Sequence, residues 1–308
     1  SNAMYDTLII GSGPAGMTAA LYAARSNLSV AIIEQGAPGG QMNNTFDIEN
    51  YPGYDHISGP ELAMKMYEPL EKFNVENIYG IVQKIENFGD YKCVLTEDAS
   101  YEAKTVIIAT GAKYRVLGVP GEEYYTSRGV SYCAVCDGAF FRDQDLLVVG
   151  GGDSAVEEAI YLTQFAKKVT VVHRRDQLRA QKILQDRAFA NDKVDFIWDS
   201  VVKEIQGNDI KVSNVLIENV KTGQVTDHAF GGVFIYVGMN PVTGMVKDLE
   251  ITDSEGWIIT DDHMRTSIPG IFAIGDVRQK DLRQITTAVG DGAIAGQGVY
   301  HYLESFSS

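Results

Sequence analysis

Two stretches of this chain repeat a single design, and that repeat constrains the fold more than any other feature. From Tyr5 to Gly36, "YDTLIIGSGPAGMTAALYAARSNLSVAIIEQG", an apolar strand at Leu8 to Ile10 enters Gly11-x-Gly13-x-x-Gly16 and an Ala-rich helix. A second strand, Val30 to Ile33, then ends at Glu34. A dinucleotide site needs this order: Gly11 for the tight turn, Gly13 so that pyrophosphate can approach the backbone, and Gly16 so that helix can pack on strand. Ser12, Pro14 and Ala15 then lie at a helix N-terminus facing the phosphates, and Glu34, followed by Gln35, can accept hydrogen bonds from a ribose. A packing turn would explain the glycines alone, but not a strand, a helix and an acid about 20 residues on.

The pattern recurs in "DLLVVGGGDSAVEEAIYLTQFAKKVTVVHRRDQLRA". A strand enters Gly150-x-Gly152-x-x-Ala155, with Asp153 and Ser154 opening the helix, and the next strand ends at His173. In place of an acid stand Arg174 and Arg175, with Arg179 one turn on. Guanidinium groups at this position suit a 2′-phosphate, so the second unit is expected to take NADPH rather than NADH. A solvated basic turn is the plainer alternative, and it leaves the missing acid unexplained. An acid in one unit and arginines in the other imply two different dinucleotides, and the one without a 2′-phosphate is most economically FAD. The fold class expected is α/β, with two Rossmann-like dinucleotide-binding domains.

At 308 residues there is enough chain for two sizeable cores. A hydrophobic fraction of 45% with 31 glycines describes an ordinary globular protein with many tight turns. The net charge of −15, with no long run of Lys and Arg, argues against nucleic acid or an anionic membrane as partner. Ser1 to Ala3, ahead of Met4, read as the scar of an expression tag. No charged-then-apolar leader follows, and no stretch approaches the ~18 consecutive apolar residues of a membrane span. With three cysteines a disulfide-stapled secreted fold is not expected, and the cytoplasm is the expected compartment.

Between and after the repeated units the punctuation is clear. "GPELAMKMYEPLEKF" reads as a helix opened by a Ser58-x-x-Glu61 capping box with Pro60 in its first turn. "KTVIIATGA" is a buried strand closing on Gly111, and "GVPGEEYYTSRG" has the composition of a linker. The second unit ends around "GGVFIYVGMNPVTG". "IPGIFAIGD" then runs as a short apolar strand into Gly275-Asp276, and an Ala/Gly-rich helix closes the chain. Asp276 is either part of a surface turn or an acceptor for the sugar-like chain of a cofactor.

Cys133 and Cys136 lie in "VSYCAVCDGAFF". A zinc site needs about four ligands. Cys93, in the strand-like "YKCVL", belongs to the other domain, and the histidines at 56, 173, 228, 263 and 301 lack ligand spacing. A purely structural disulfide is out of place in the cytoplasm. A redox dithiol remains, and C-x-x-C beside βαβ units is its usual signature. NADPH gives two electrons as hydride, a flavin accepts two, and a disulfide needs two. Asp137 follows directly and could supply the proton that disulfide reduction requires. Cys93 is most simply a core residue. A flavin face cannot host nicotinamide and dithiol together. The domain carrying the cysteines is therefore expected to rotate about hinges near Tyr114 to Pro120 and Pro241 to Met245.

On these residues the chain resembles the low-molecular-weight thioredoxin reductases. "LIIGSGPAG", "GGQ" (Gly39 to Gln41), "ENYPG" (Glu49 to Gly53), "CAVCDG", "GGGDSAVEEA", "HRRDQLRA" and "GDVRQKDLRQITTAVGDGAIAGQ" stand in the family order, and the likeness covers almost the whole chain after the tag. The resemblance implies a FAD domain in two segments, 4–114 and 246–308, around an NADPH domain, 115–245, that carries the cysteines. It implies that Glu34, Gly40, Gln41 and Asn50 lie along FAD. It likewise implies that Gly275, Asp276 and the run Arg283, Gln284, Ile285 contact its ribityl chain and ring. Cys136 would face the flavin, Cys133 would attack the disulfide of thioredoxin, and Asp137 would handle the proton. A homodimer is the family norm. Val135 is a departure, since many members carry Thr there, and the intervening residues tune the dithiol potential.

Four other readings compete. Relatives that reduce ferredoxin or flavodoxin lack the active C-x-x-C. A thiol oxidase running the dithiol toward oxygen has no use for the arginines. The alkyl hydroperoxide reductase flavoprotein carries an extra N-terminal domain, for which a chain starting at Met4 is expected to have no room. A flavin-dependent redox sensor would not turn over NADPH steadily. Within the reductase reading, the substrate could also be another thioredoxin-like or a glutaredoxin-like protein.

Overall fold

A computed structural model describes residues 4–44, 48 and 50–306, leaving the side chains of Asn44 and Cys136 outside the description. The chain forms two compact units, Ser1–Lys113 with Asn240–Ser308, and Tyr114–Met239. It passes between them through two short strands, Ala112–Tyr114 and Met239–Pro241, which pair with each other.

In the first unit the strand Tyr5–Ile10 lies between Val30–Glu34 and Ser100–Ile108, all parallel, with Glu76–Tyr79 beyond Val30–Glu34. Leu8, Ile9 and Ile10 are buried, as a parallel strand covered on both faces requires. Ile10 stands in register with Ile33 and Ile108. The second half of Ser100–Ile108 takes the parallel strand Ile271–Ala273, and its first half continues antiparallel into Lys92–Thr96 and Val82–Asn87. Strand order therefore reverses at Tyr5–Ile10, and the crevice for a ligand opens at its C-terminal end. The helix Pro14–Arg25 fills this point, and the C-terminal helix Ile285–Glu304 lies close on it. A Cβ on Gly292 would come within 2.4 Å of the Ala15 carbonyl, so only glycine permits this spacing. The helix Gly59–Lys72 starts as its sequence predicts, with Ser58 Oγ accepting from Glu61 N.

The second unit repeats the plan. Val194–Ile197, Lys168–Val172, Asp145–Val149, Gly232–Ile235 and Val130–Ser131 form a parallel sheet in that order. A three-stranded antiparallel sheet, Ser200–Gly207, Val212–Asn219 and Val225–Ala229, completes it. Asp145–Val149 is again the strand from which the order reverses, and the helix Asp153–Leu162 follows it.

Three sequence expectations need correcting. The second crossing falls at Met239/Asn240, before the expected boundary at Met245, because Met245 and Val246 are buried with Leu8 and Val106 in the first unit's core. The stretch "GVPGEEYYTSRG" belongs wholly to the second unit, to which its turn is hydrogen-bonded. There, the buried Glu122 carboxylate accepts from Leu117 N at 2.9 Å, Gly118 N at 2.7 Å and Tyr132 Oη at 2.7 Å. Cys93 is only half-buried. The strand Lys92–Thr96 turns Lys92 and Val94 inward instead, and Lys92 Nζ reaches Asn87 Oδ1 at 2.7 Å and Gly89 O at 2.6 Å.

Candidate active site

The first glycine loop is built to leave one opening. Gly11 has φ +105°, and a Cβ there would strike the Ala109 carbonyl at 2.2 Å. A Cβ on Gly16 would strike the Gly11 carbonyl at 2.0 Å. Gly13 differs: its φ of −74° suits any residue, and a Cβ there would meet no atom within 4 Å. Nothing among the described residues demands glycine at Gly13, so its missing side chain fits a group brought in from outside. The buried Ser12 donates through both N and Oγ to Glu34 Oε1 at 2.9 Å, and Gly36 N donates to Oε2 at 2.8 Å. These bonds fix the carboxylate at the strand end and leave lone pairs to accept from a ribose. Pro14 is the first residue of the helix, Ala15 is buried, and Gln35 is exposed.

Around this cradle the fold collects residues far apart in the chain. A Cβ on Gly40 would lie 3.3 Å from Gly13 Cα, and Gln41 Nε2 donates to the Ala112 carbonyl. Asn50 Nδ2 donates to Gln284 Oε1 at 3.1 Å, and Gln284 caps the helix that begins at Ile285. Gly275 and Asp276 leave the strand Ile271–Ala273 in a tight turn, with Gly275 against Ala15. Asp276 is largely buried, and among the described residues no donor reaches its carboxylate. Burial pushes its carboxyl above the ordinary value, opposed by Lys280 and Arg283. Arg283 stacks over the Trp257 ring at 3.7 Å and donates from Nε to the Asp276 carbonyl at 3.0 Å. Of the matched motif "ENYPG", Glu49 lies outside the described residues.

The second cradle follows the same rule. Gly150, at φ +136°, would place a Cβ 2.2 Å from the Tyr236 carbonyl, whereas at Gly152 a Cβ would again meet nothing within 4 Å. Ala155 takes the third glycine position, buried under Gly150. His173 lies against Gly151, almost fully buried, with Nε2 lacking a partner among the described residues. Burial first, then the Arg179 and Arg175 guanidiniums, hold this imidazole below its usual range, so it is neutral. Arg179 N donates to the Gly151 carbonyl at 2.7 Å, which brings its side chain to the loop. Arg174, Arg175 and Arg179 are exposed, and among the described residues none is in an ion pair. Orphaned Nε2, open Gly152 and unpaired guanidiniums fit a phosphorylated dinucleotide. Ser154 is exposed, but the Asp153 carboxylate is already engaged, accepting from Gln181 N at 2.8 Å and Nε2 at 3.2 Å. These bonds make it a brace of the loop.

Cys133 is in a disulfide, and Cys93 is free. The backbone of Cys136 lies in the short helix Ala134–Asp137. Two groups that sequence reasoning missed hold this segment. Buried Ser131 donates from Oγ to Asp137 Oδ2 at 2.6 Å and accepts from Cys133 N at 3.1 Å. Tyr236 Oη accepts from Ala134 N at 2.6 Å. Burial, then the charge of Glu158, raises the Tyr236 phenol far above its usual range, so it stays neutral. Ser131 was within reach of sequence reasoning as a hydroxyl beside the cysteines; Tyr236 was not, since a strand far along the chain brings it there.

The family model described as pyridine nucleotide-disulphide oxidoreductase matches residues 5–292. The thioredoxin reductase of Bacillus subtilis (strain 168) is 57% identical over 301 residues, covering 98% of this chain and 95% of that one. That of Peptoclostridium acidaminophilum is 46% identical over 309 residues, covering 98% of each. Among solved structures, Lactococcus lactis thioredoxin reductase in its FR conformation superposes with a TM-score of 0.83 at 66% identity, over 98% of this chain and 99% of that one. No helix among the described residues is long and apolar enough to cross a membrane.

Proposed function

Because the chain belongs to the pyridine nucleotide-disulphide oxidoreductase family, we propose that it is an NADPH-dependent flavoenzyme that reduces the disulfide of thioredoxin. One observation carries this reading: Cys133 is held in a disulfide in the same compact unit as a glycine cradle flanked by three arginines without ion-pair partners. Bound FAD supplies the two-electron relay between a hydride donor and a disulfide. The loop Gly11–Gly16 and Glu34 hold its pyrophosphate and ribose, and Asp276 accepts from its ribityl hydroxyls. Arg174, Arg175 and Arg179 pair with the 2′-phosphate of NADPH, with neutral His173 beneath them as a further hydrogen-bonding group. Asp137, oriented by Ser131, protonates a thiolate as the Cys133–Cys136 disulfide opens. The Cys133 thiolate then attacks the substrate disulfide, and Cys136 resolves the mixed disulfide. Nicotinamide and dithiol would each have to reach the flavin in turn, and the unit Tyr114–Met239, which carries both the second cradle and Cys133, would turn as a body between half-reactions. The enzyme works as a homodimer in the cytoplasm.

The test is NADPH oxidation by the FAD-loaded protein with and without oxidised thioredoxin, with ferredoxin and oxygen as alternative acceptors. Sustained turnover that requires thioredoxin is expected. Cys133→Ser should abolish it while leaving reduction of an artificial flavin acceptor intact. Equal NADPH consumption with and without thioredoxin, or full thioredoxin reduction by Cys133→Ser, would overturn the proposal.

A further inference from the structure

The turn that carries Asp276 is held from outside by a buried ionic cluster. Gly275 N donates to Asp291 Oδ2 at 2.9 Å. The same oxygen accepts from Arg278 Nη1 at 2.9 Å and from Lys280 Nζ at 3.0 Å. All three side chains are nearly sealed, with 9% of Asp291, 13% of Arg278 and 8% of Lys280 exposed. Arg278 is further tied to Thr260 Oγ1 through Nε at 2.7 Å. From the other side Arg283 holds two carbonyls of the segment, that of Asp276 at 3.0 Å and that of Arg278 at 2.8 Å. The main chain is thus fixed at Gly275, Asp276 and Arg278, while the Asp276 carboxylate receives no donor among the described residues.

Stability alone is a weak explanation for this cluster. Desolvating two cations and a carboxylate is costly, and an apolar cluster of the same volume often stabilises a fold as well or better. What the ions supply that an apolar cluster cannot is direction. One carboxylate oxygen sets the height of Gly275 N–H and the side chains of Arg278 and Lys280 together. Asp291 is itself fixed by its helix, since the neighbouring Gly292 rests on the Ala15 carbonyl of the glycine-loop helix. Burial raises the Asp276 carboxyl above its ordinary value and the Asp291 charge adds to this, while Lys280 and Arg283 draw it the other way. A carboxylate held at fixed height, with no donor from the described residues, suits the hydroxyls of a polyol chain.

We infer that Asp291 is a positioning residue for flavin binding: it fixes the Gly275–Val277 turn so that the Asp276 carboxylate meets the polyol chain of FAD. This rests on the flavoenzyme reading above, and the experiment separates the two. The full-length protein is stripped of flavin and titrated with FAD, binding being followed by quenching of flavin fluorescence. Two variants move the anchor in different ways. Asp291→Asn removes the charge, and Asp291→Glu keeps it but displaces the oxygens by one methylene. Each should weaken FAD at least tenfold, while far-UV circular dichroism and NADPH affinity stay at wild-type values. Should Asp291→Asn fail to fold, Asp291→Glu, which leaves no buried cation uncompensated, decides alone. Asp276→Ala serves as the reference. A wild-type protein that takes up no FAD would sink the flavoenzyme reading, whereas an Asp276→Ala variant that binds FAD normally would refute the Asp276 contact and with it the role of Asp291. If Asp276→Ala weakens FAD while Asp291→Glu binds it like wild type, the positioning role of Asp291 alone is refuted.

Discussion

Glu158 gives the sharpest test of the energetics in the second unit. It lies on the helix Asp153–Leu162 with Oε2 sealed from solvent and without a partner among the described residues. Burial first, and then the neighbouring Glu157, push its carboxyl up from 4.5 to about 7. The folded protein therefore binds this proton more tightly than the unfolded chain does. The resulting stability is fully present below about pH 4.5 and is lost as pH rises through about 7. At roughly 1.4 kcal/mol per pKa unit, the loss amounts to about 3 kcal/mol. Glu158→Gln keeps the shape of the neutral acid and cannot ionise, so it should match wild type near pH 4.5 and exceed it by about 3 kcal/mol at pH 8.5. The measurement is urea unfolding at both pH values in a Trp257→Phe background, where Trp198 reports on the unit Tyr114–Met239. All other titrating groups are common to both proteins and cancel in the difference. Parallel stability–pH curves for the two would show that Glu158 is ionised in the folded state and would refute the reasoning.

The two cradles yield further expectations. Replacing Arg174 and Arg175 by Ala removes charge-assisted bonds of roughly 1.5–3 kcal/mol each, so NADPH should weaken more than tenfold with little change for NADH. Equal losses for both nucleotides, read by fluorescence titration, would assign the pair a structural role. Gly152→Ala should leave the unfolding free energy of the nucleotide-free protein within about 0.5 kcal/mol of wild type, since its Cβ meets nothing within 4 Å, yet raise the KM for NADPH at least tenfold. Gly150→Ala should instead be recovered unfolded or strongly destabilised, because its Cβ would lie 2.2 Å from the Tyr236 carbonyl at a φ of +136°.

What the sequence revealed of this molecule is what short stretches of chain decide. Gly11, Gly13, Gly16 and Glu34 belong to one strand–loop–helix–strand run, and the register of Ile10 with Ile33 follows once that run closes. The second cradle was legible for the same reason, and so was Cys133 with Asp137, four residues on in one turn of helix. The frame around the turn Gly275–Val277 was not. Asn50 meets Gln284 across 234 residues, and Asp291 meets Gly275 only because the C-terminal helix lies down on the first one. Nothing near Asp291 in the chain marks it as an interior charge. Lys92 misleads for a subtler reason. Composition puts lysines on surfaces, while the alternation of its strand puts it beside Val94 in the core. The alternation wins because the hairpin turn supplies Asn87 Oδ1 and Gly89 O within reach of the ammonium. Its main cost, an unsolvated charge, is thereby offset locally, with burial drawing the lysine below its usual range. A buried charge can be inferred from sequence, then, only where the neighbouring residues can solvate it. At Asp291 the solvating groups are Gly275, Arg278 and Lys280, which reach it through tertiary packing alone.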